Sequence, residues 1–289
     1  SLSAARSEAP QQATSMRLYA RIDASELQNV PAQAQRAEAL GFHGVAIQEN
    51  AFDAFLHAAL AAEHTRRVTI ATQVAVAFAR SPMLTAYAAW DIQRLSKGRF
   101  ESGLGTQVKG HIERRFSNVW SPPAPRMREY AESLRAIWNS WQEGTTLNYK
   151  GDIYSFTLMS PYYNPGPLSY PQIPLYAAAV GPNMSKTAGE LFNGIIIHRF
   201  STANYTRDVI LPSLRKGIRE SSRQQDPNDI QVTGGGFIIM GATEAEVAAQ
   251  REQARGQIAW YASTRTYKRV MDHHGWGEVC LRLHRMSVE

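Results

Sequence analysis

The chain has 289 residues, 44% of them hydrophobic, with 31 Lys and Arg against 25 Asp and Glu, giving a formal charge of +6. That supplies one large core in the size range of an α/β barrel. A single cysteine, Cys280, excludes an internal disulfide and fits a reducing cytoplasm. Apolar runs fall short of the ~18 residues a membrane span needs, and basic side chains occur only in short patches such as Arg66-Arg67 and Arg114-Arg115, which argues against a nucleic-acid face. The charge reads either as ordinary solvated surface or as the complement of an anionic small ligand.

Residues 1–15 are polar, with no apolar core of a signal peptide, and read as a disordered tail; residues 16–289 read as one domain. The first strand is expected over 16–22 (MRLYARI), a helix over 27–40 closed by Gly41, and a short all-apolar strand over 44–48 (GVAIQ). A helix over 54–64, a strand over 68–76 (VTIATQVAV), a helix opened by Pro82 and a strand over 100–106 (FESGLGT) continue the alternation. An insertion follows. Its clearest element is a helix over 128–141, on which Tyr130, Leu134, Ile137, Trp138 and Trp141 form one apolar stripe of core type, and a small hairpin is expected near 151–158. The proline-rich stretch 160–174 also carries Tyr162, Tyr163 and Tyr170 and reads as an ordered loop.

Strands over 173–180 (IPLYAAAV), 194–198 (GIIIH) and 230–240 (IQVTGGGFIIM) bring the total to seven, separated by helices over 183–191 and 205–220. Thr243 and Glu246 form a capping box for the helix that follows. A closed barrel needs eight strands, and none is evident after Tyr261.

In parallel α/β barrels the chemistry sits where strands end. Glu49 and Asn50 close the second strand, Thr106 and His111 follow the fourth, and Ala179-Val180-Gly181-Pro182 leads from a strand into a helix start. Free amides and the positive helix end would face an anion at that turn; an ordinary tight βα turn is the other reading. His111, with Arg114 and Arg115, could hold a cofactor or move a proton, or serve a structural or surface role. Glu49 could face the pocket or form a salt bridge at the rim. Phe78, Trp120, Tyr162 and Tyr163 could line an apolar substrate pocket or simply pack. No metal site is expected, because His273-His274 are adjacent and neither H-E-x-x-H nor C-x-x-C occurs.

Several stretches taken in order resemble the luciferase-like flavin enzymes, most closely their coenzyme F-420-dependent oxidoreductases. They are AQRAEALGFHG at 34–44, WDIQRLSKGRFESGLG at 90–105, TQVKGHIERRF at 106–116, PRMREYAESLRAIW at 125–138, PLYAAAVGPNMSKTAGE at 174–190 and HHGWGE at 273–278. The resemblance implies a TIM-like (β/α)8 barrel of the bacterial luciferase type, here with an insertion after strand 4 and a missing or truncated eighth strand. It implies a homodimer and a non-proline cis peptide at Gln73–Val74 behind the flavin ring. Asn50, Gln73, Val74 and Thr106 would line the cofactor, Ala179, Val180, Gly181 and Pro182 would bind its tail phosphate, and His111 and Glu49 become the acid/base candidates.

The implied activity is hydride transfer between coenzyme F-420 and a small organic substrate. Alternatives are an FMN-dependent monooxygenase using O2 and a separate flavin reductase, and a flavin-binding protein without turnover. Related sugar-phosphate dehydrogenases carry a histidine and an acid where this chain has Asn50 and Val108, which argues against that substrate class.

Overall fold

A computed structural model of the chain describes residues 16–23, 26–223 and 226–288; the tail expected over 1–15 lies outside them. In chain order, β1 (Tyr19–Ile22), α1 (Val30–Ala39), β2 (Gly44–Ile47), α2 (Ala54–His64) and β3 (Thr69–Thr72) make the first crossovers. A two-residue strand β4 (Ala75–Val76), α3 (Pro82–Leu95) and β5 (Phe100–Gly105) follow. The insertion holds α4 (Lys109–Arg114), α5 (Pro123–Glu143) and an antiparallel ribbon of β6 (Tyr149–Lys150) and β7 (Ser155–Phe156). The pattern resumes with β8 (Leu175–Ala179), α6 (Pro182–Leu191) and β9 (Gly194–Ile197). α7 (Ala203–Tyr205) passes through a π-helical turn at Thr206–Ile210 into α8 (Leu211–Glu220), and β10 (Gln231–Thr233), α9 (Glu244–Ser263), α10 (Lys268–His273) and α11 (Gly277–Val288) complete the order.

The main sheet is parallel, in the order β1-β2-β3-β5-β8-β9-β10, with β4 beside β5. Among the described residues no ladder joins β10 to β1, so the curled sheet is open on that side. The strand expected over 230–240 stops at Thr233, where Gly234, Gly235 and Gly236 leave nothing to pack against a neighbour. After Tyr261, residues 277–285 fall within helix α11. α5 outruns its expected limits at both ends: Pro123 suits a first helical turn, and Gly144 at φ 66° ends the helix in the left-handed region.

The apolar stripe of α5 is fully used. Tyr130, Leu134, Ile137, Trp138 and Trp141 are all buried, with Trp138 stacked on Trp90 of α3. The loop over 160–174 is strapped down the outside of α3, whose Tyr87, Trp90 and Gln93 side chains donate to the carbonyls of Tyr163, Gly166 and Tyr170. Inside the barrel, at the strand N-terminal ends, Glu101 accepts from Tyr19 Oη at 2.9 Å and pairs with Arg17 at 3.0 Å. The ring of Tyr19 lies over Gly44 and that of Tyr176 over Gly194, each within 2.6 Å of where a Cβ would be, so glycine is required at both positions. Burial, and then the charge of Glu101, push both phenols well above their ordinary value. This polar plug closes the bottom, and on β2, β3, β5 and β8 the inward positions above it are small: Ala46, Ala71, Gly103, Gly105 and Ala178.

α6 and α8 cross backbone to backbone. A Cβ at Gly217 would sit 2.0 Å from the Lys186 carbonyl, and one at Gly189 2.2 Å from that of Leu214. Neither neighbour is a flexible side chain. Gly217→Leu is therefore expected to lower the unfolding free energy by about 2–3 kcal/mol or more, read from the urea midpoint.

Candidate active site at the strand ends

Glu49 follows β2 and is buried, with a side chain only 7% exposed. Its Oε2 accepts from the Val76 amide at 2.6 Å, and Arg80 reaches both carboxylate oxygens, at 2.9 and 3.3 Å. The same guanidinium bonds Asp53 at 2.8 Å, and Asp53 caps α2 by accepting from Phe55 and Leu56 amides. Burial pushes the Glu49 carboxyl up, against the lowering pull of Val76 and Arg80. The rim salt bridge is thus present, and Glu49 ties β2 to β4. Between them lies the non-proline cis peptide Gln73–Val74, at the position the resemblance implies. The Glu49 amide donates to the Val74 carbonyl at 3.0 Å.

The segment after β5 folds across these ends. Gln107 takes φ 58°, Arg115 donates to the Asn50 carbonyl, and the Asn118 amide bonds the Phe78 carbonyl at 3.1 Å. Thr106 donates to the Gln107 carbonyl at 2.9 Å. His111 sits half-buried on α4; among the described residues its ring has no hydrogen-bond or ion-pair partner.

β8 ends at Ala179, which is buried, and the Val180 carbonyl accepts from Tyr205 Oη at 2.9 Å. Gly181 is the N-cap of α6 and offers no side chain to its first turn. Pro182 has no N–H, so the donors at this helix end are the Asn183 and Met184 amides rather than Pro182 itself. Gly181 has φ −116° and ψ 165°, which any residue adopts. Its glycine answers to space: a Cβ would lie 2.1 Å from Nη1 of Arg269. Arg269, from α10, was not legible in the sequence. Among the described residues it has no carboxylate partner, yet it lies against the positive end of a helix, where a cation is disfavoured unless an anion is present.

A cavity of about 340 Å3 opens at the same end of the barrel. Arg21 of β1 and Gln48 and Asn50 beyond β2 form one side; Arg199 beyond β9 and Gln257, Trp260 and Tyr261 of α9 form the other. Beside it His198 is half-buried between the rings of Tyr267 and Tyr261. Burial, and secondarily the charge of Arg199, push its imidazole down to about 4. Its Nδ1 accepts from the Phe200 amide at 3.2 Å, so the neutral ring carries its proton on Nε2, 3.1 Å from Tyr267 Oη.

None of the four expected pocket aromatics lines this cavity. Phe78 is wholly buried, with Trp120 and the Arg126 guanidinium against it. Tyr162 is 89% and Tyr163 59% exposed on the loop outside α3, because the Tyr87 hydroxyl anchors the Tyr163 backbone there. The aromatics that do face the mouth, Trp260 and Tyr261, lie on α9, whose apolar residues show no single stripe. Among the described residues no cluster of His, Cys, Asp and Glu could hold a metal ion, and no helix is long and apolar enough to cross a membrane.

A curled parallel α/β sheet with its loops converging on one mouth is the architecture of barrel-type enzymes, which place their sites at the strand ends. The chain belongs to the luciferase-like monooxygenase family, which it matches over residues 5–285. It is similar to an uncharacterised protein of Mycobacterium tuberculosis, 42% identical over 266 residues, covering 90% of this chain and 78% of that protein. It is also similar to the 5,10-methylenetetrahydromethanopterin reductase of Archaeoglobus fulgidus, 29% identical over 217 residues, covering 74% of this chain and 59% of that protein. Among solved structures, a coenzyme F420 dependent tetrahydromethanopterin reductase from Methanopyrus kandleri shares the fold, with a TM-score of 0.63 at 19% identity over 93% of this chain and 83% of that one. Fold and family together make the chain an oxidoreductase of the luciferase-like type.

Proposed function

We propose that the chain is a coenzyme F-420-dependent oxidoreductase acting on a small organic substrate. The observation that carries this is the start of α6, where uncapped amides and the Arg269 guanidinium meet over Gly181 with no carboxylate between them. That donor set fits the phosphate of the cofactor tail. Relatedness to F420-dependent glucose-6-phosphate dehydrogenases supports the choice of a deazaflavin. When bound, the deazaflavin supplies a carbon that carries hydride.

The chain's own residues then have separable tasks. Asn183, Met184 and Arg269 bind the phosphate. Asn50, Gln73, Val74 and Thr106 border the ring, held in place by the Glu49–Arg80 pair, which makes Glu49 a positioning residue. His111, whose ring is free of partners among the described residues, holds or delivers the proton that accompanies hydride transfer. FMN would place its phosphate on the same turn, and a monooxygenase fed by a separate reductase is the second reading, favoured by the family match itself.

Titration with F-420 and with FMN, followed by fluorescence, separates the two. Saturable F-420 binding at least about tenfold tighter than FMN is expected; tighter FMN binding would favour the monooxygenase, and binding of neither would defeat both. His111→Ala is expected to lower kcat by about 10²–10⁴-fold while F-420 affinity stays within a small factor. An unchanged kcat would remove His111 from the site.

A further inference from the structure

The cavity at the barrel mouth is positively charged by construction. Its lining contains two guanidiniums, Arg21 and Arg199, and no carboxylate. The nearest acid to Arg21 is Asp23 at 3.8 Å, a side chain 88% exposed and too well hydrated to neutralise the cavity. Arg199 has no carboxylate partner among the described residues; it donates to Gln257 at 3.2 Å and lies over the Phe237 ring. Two like charges bordering one cavity repel each other, and an anion between them reverses the sign of that interaction. The field is felt nearby: the charge of Arg199 adds to burial in keeping His198 neutral.

Gly256, exposed on α9, keeps the approach to the helix backbone open. It lies within α9 and lines the cavity. Glycine in a helix interior costs roughly 0.5–1 kcal/mol relative to alanine. At Gly189 and Gly217 close helix contact explains the glycine, but nothing lies within 4 Å of where a Gly256 Cβ would be. No protein neighbour requires the small residue; an occupant approaching the α9 backbone would. Trp260, 59% exposed, and Tyr261 set flat apolar surface beside the guanidiniums.

We infer that this cavity is a subsite for the carboxylate of a planar organic acid, gripped by Arg21 and Arg199 and flanked by Trp260 and Tyr261; calling that acid the substrate rests on the oxidoreductase reading above. A guanidinium presents paired N–H donors that match a carboxylate edge. The Asn50 amide is bonded to Gln48 at 3.3 Å, so this pair borders the anion as one unit.

The test is calorimetric titration of the whole chain with benzoate, with benzamide as its uncharged isostere and inorganic phosphate as competitor. Benzoate is expected to bind at least about tenfold tighter than benzamide, and Arg199→Gln and Arg21→Gln each to weaken it by about tenfold or more. Gly256→Leu, which fills the space and keeps both charges, is expected to weaken benzoate as strongly, with a melting curve no lower than the parent's because leucine favours the helix. Equal binding of benzoate and benzamide, undiminished benzoate binding in both arginine variants, or displacement of benzoate by equimolar phosphate would overturn the inference. Benzoate binding in a chain that binds neither F-420 nor FMN would remove the oxidoreductase reading and keep the carboxylate subsite; cofactor binding without benzoate binding would remove the subsite alone.

Discussion

Replacing Arg80 by leucine is expected to lower the unfolding free energy by about 3–5 kcal/mol at pH 8, and by clearly less at pH 5. The Glu49 side chain is 7% exposed and the Arg80 side chain 18%, so water does little to screen the pair. Removing the guanidinium leaves a carboxylate buried with one remaining donor, the Val76 amide. Because burial already raises the Glu49 carboxyl above its unfolded-state value, the folded protein holds that proton more tightly than the unfolded chain does. This group's contribution to stability is therefore full below the unfolded-state value and is lost as pH rises through the folded-state value. Deleting Arg80 removes one of the groups pulling the carboxyl down, which moves the folded-state value further up and widens the window. At pH 5 a larger share of the variant's Glu49 is then protonated than at pH 8, and the penalty shrinks. Urea unfolding at the two pH values reads this directly. Glu49→Gln placed on top of Arg80→Leu is expected to recover part of the pH 8 loss. Equal losses at pH 5 and pH 8 would contradict a buried charge as the cause.

Gly181→Val is expected to weaken F-420 binding by about 100-fold while changing stability by less than about 1 kcal/mol. Two facts separate the effects. The backbone of Gly181 is extended, a conformation valine favours. The atoms a Cβ would meet belong to the end of the Arg269 side chain, at 2.1 Å from Nη1 and 2.9 Å from Cζ, and that side chain can swing away. What is lost is the arrangement that places a guanidinium beside the free amides of α6; charge-assisted bonds of this kind each contribute about 1.5–3 kcal/mol. Arg269→Leu removes the same charge without touching the helix and is expected to weaken binding by at least about tenfold. Fluorescence titration of both variants checks this; F-420 affinity equal to the parent's in both would contradict the phosphate assignment.

The strand order and the crossover helices were legible because each rests on a local signal: apolar strands between helices of regular period, Pro82 at a helix start, the stripe from Tyr130 to Trp141; the loop over 160–174 was legible as ordered but not in its placement along α3. The openness of the sheet was legible as well, since nothing after Tyr261 alternates like a strand. Strand limits were not. The strand from Ile230 stops at the three glycines because its extent depends on a neighbour rather than on its own residues. The positions of Glu49, His111 and Gly181 beyond strand ends were legible, but not their partnerships. Arg269 reaches Gly181 from 88 positions away, Arg80 turns Glu49 into an ion pair, and Arg21 and Arg199, 178 positions apart, meet at one cavity. Such pairings are tertiary, and no spacing announces them. Tyr162 and Tyr163 mislead for the converse reason: aromatic residues in a proline-rich loop look like pocket walls, while the Tyr87 hydroxyl holds that loop outside the barrel.

The most direct measurement is a crystal structure of the chain with F-420. The tail phosphate is expected within hydrogen-bond distance of the Asn183 and Met184 amides and the Arg269 guanidinium, with the deazaflavin ring over the ends of β2 to β5. A phosphate bound elsewhere, with the start of α6 left to solvent, would contradict it.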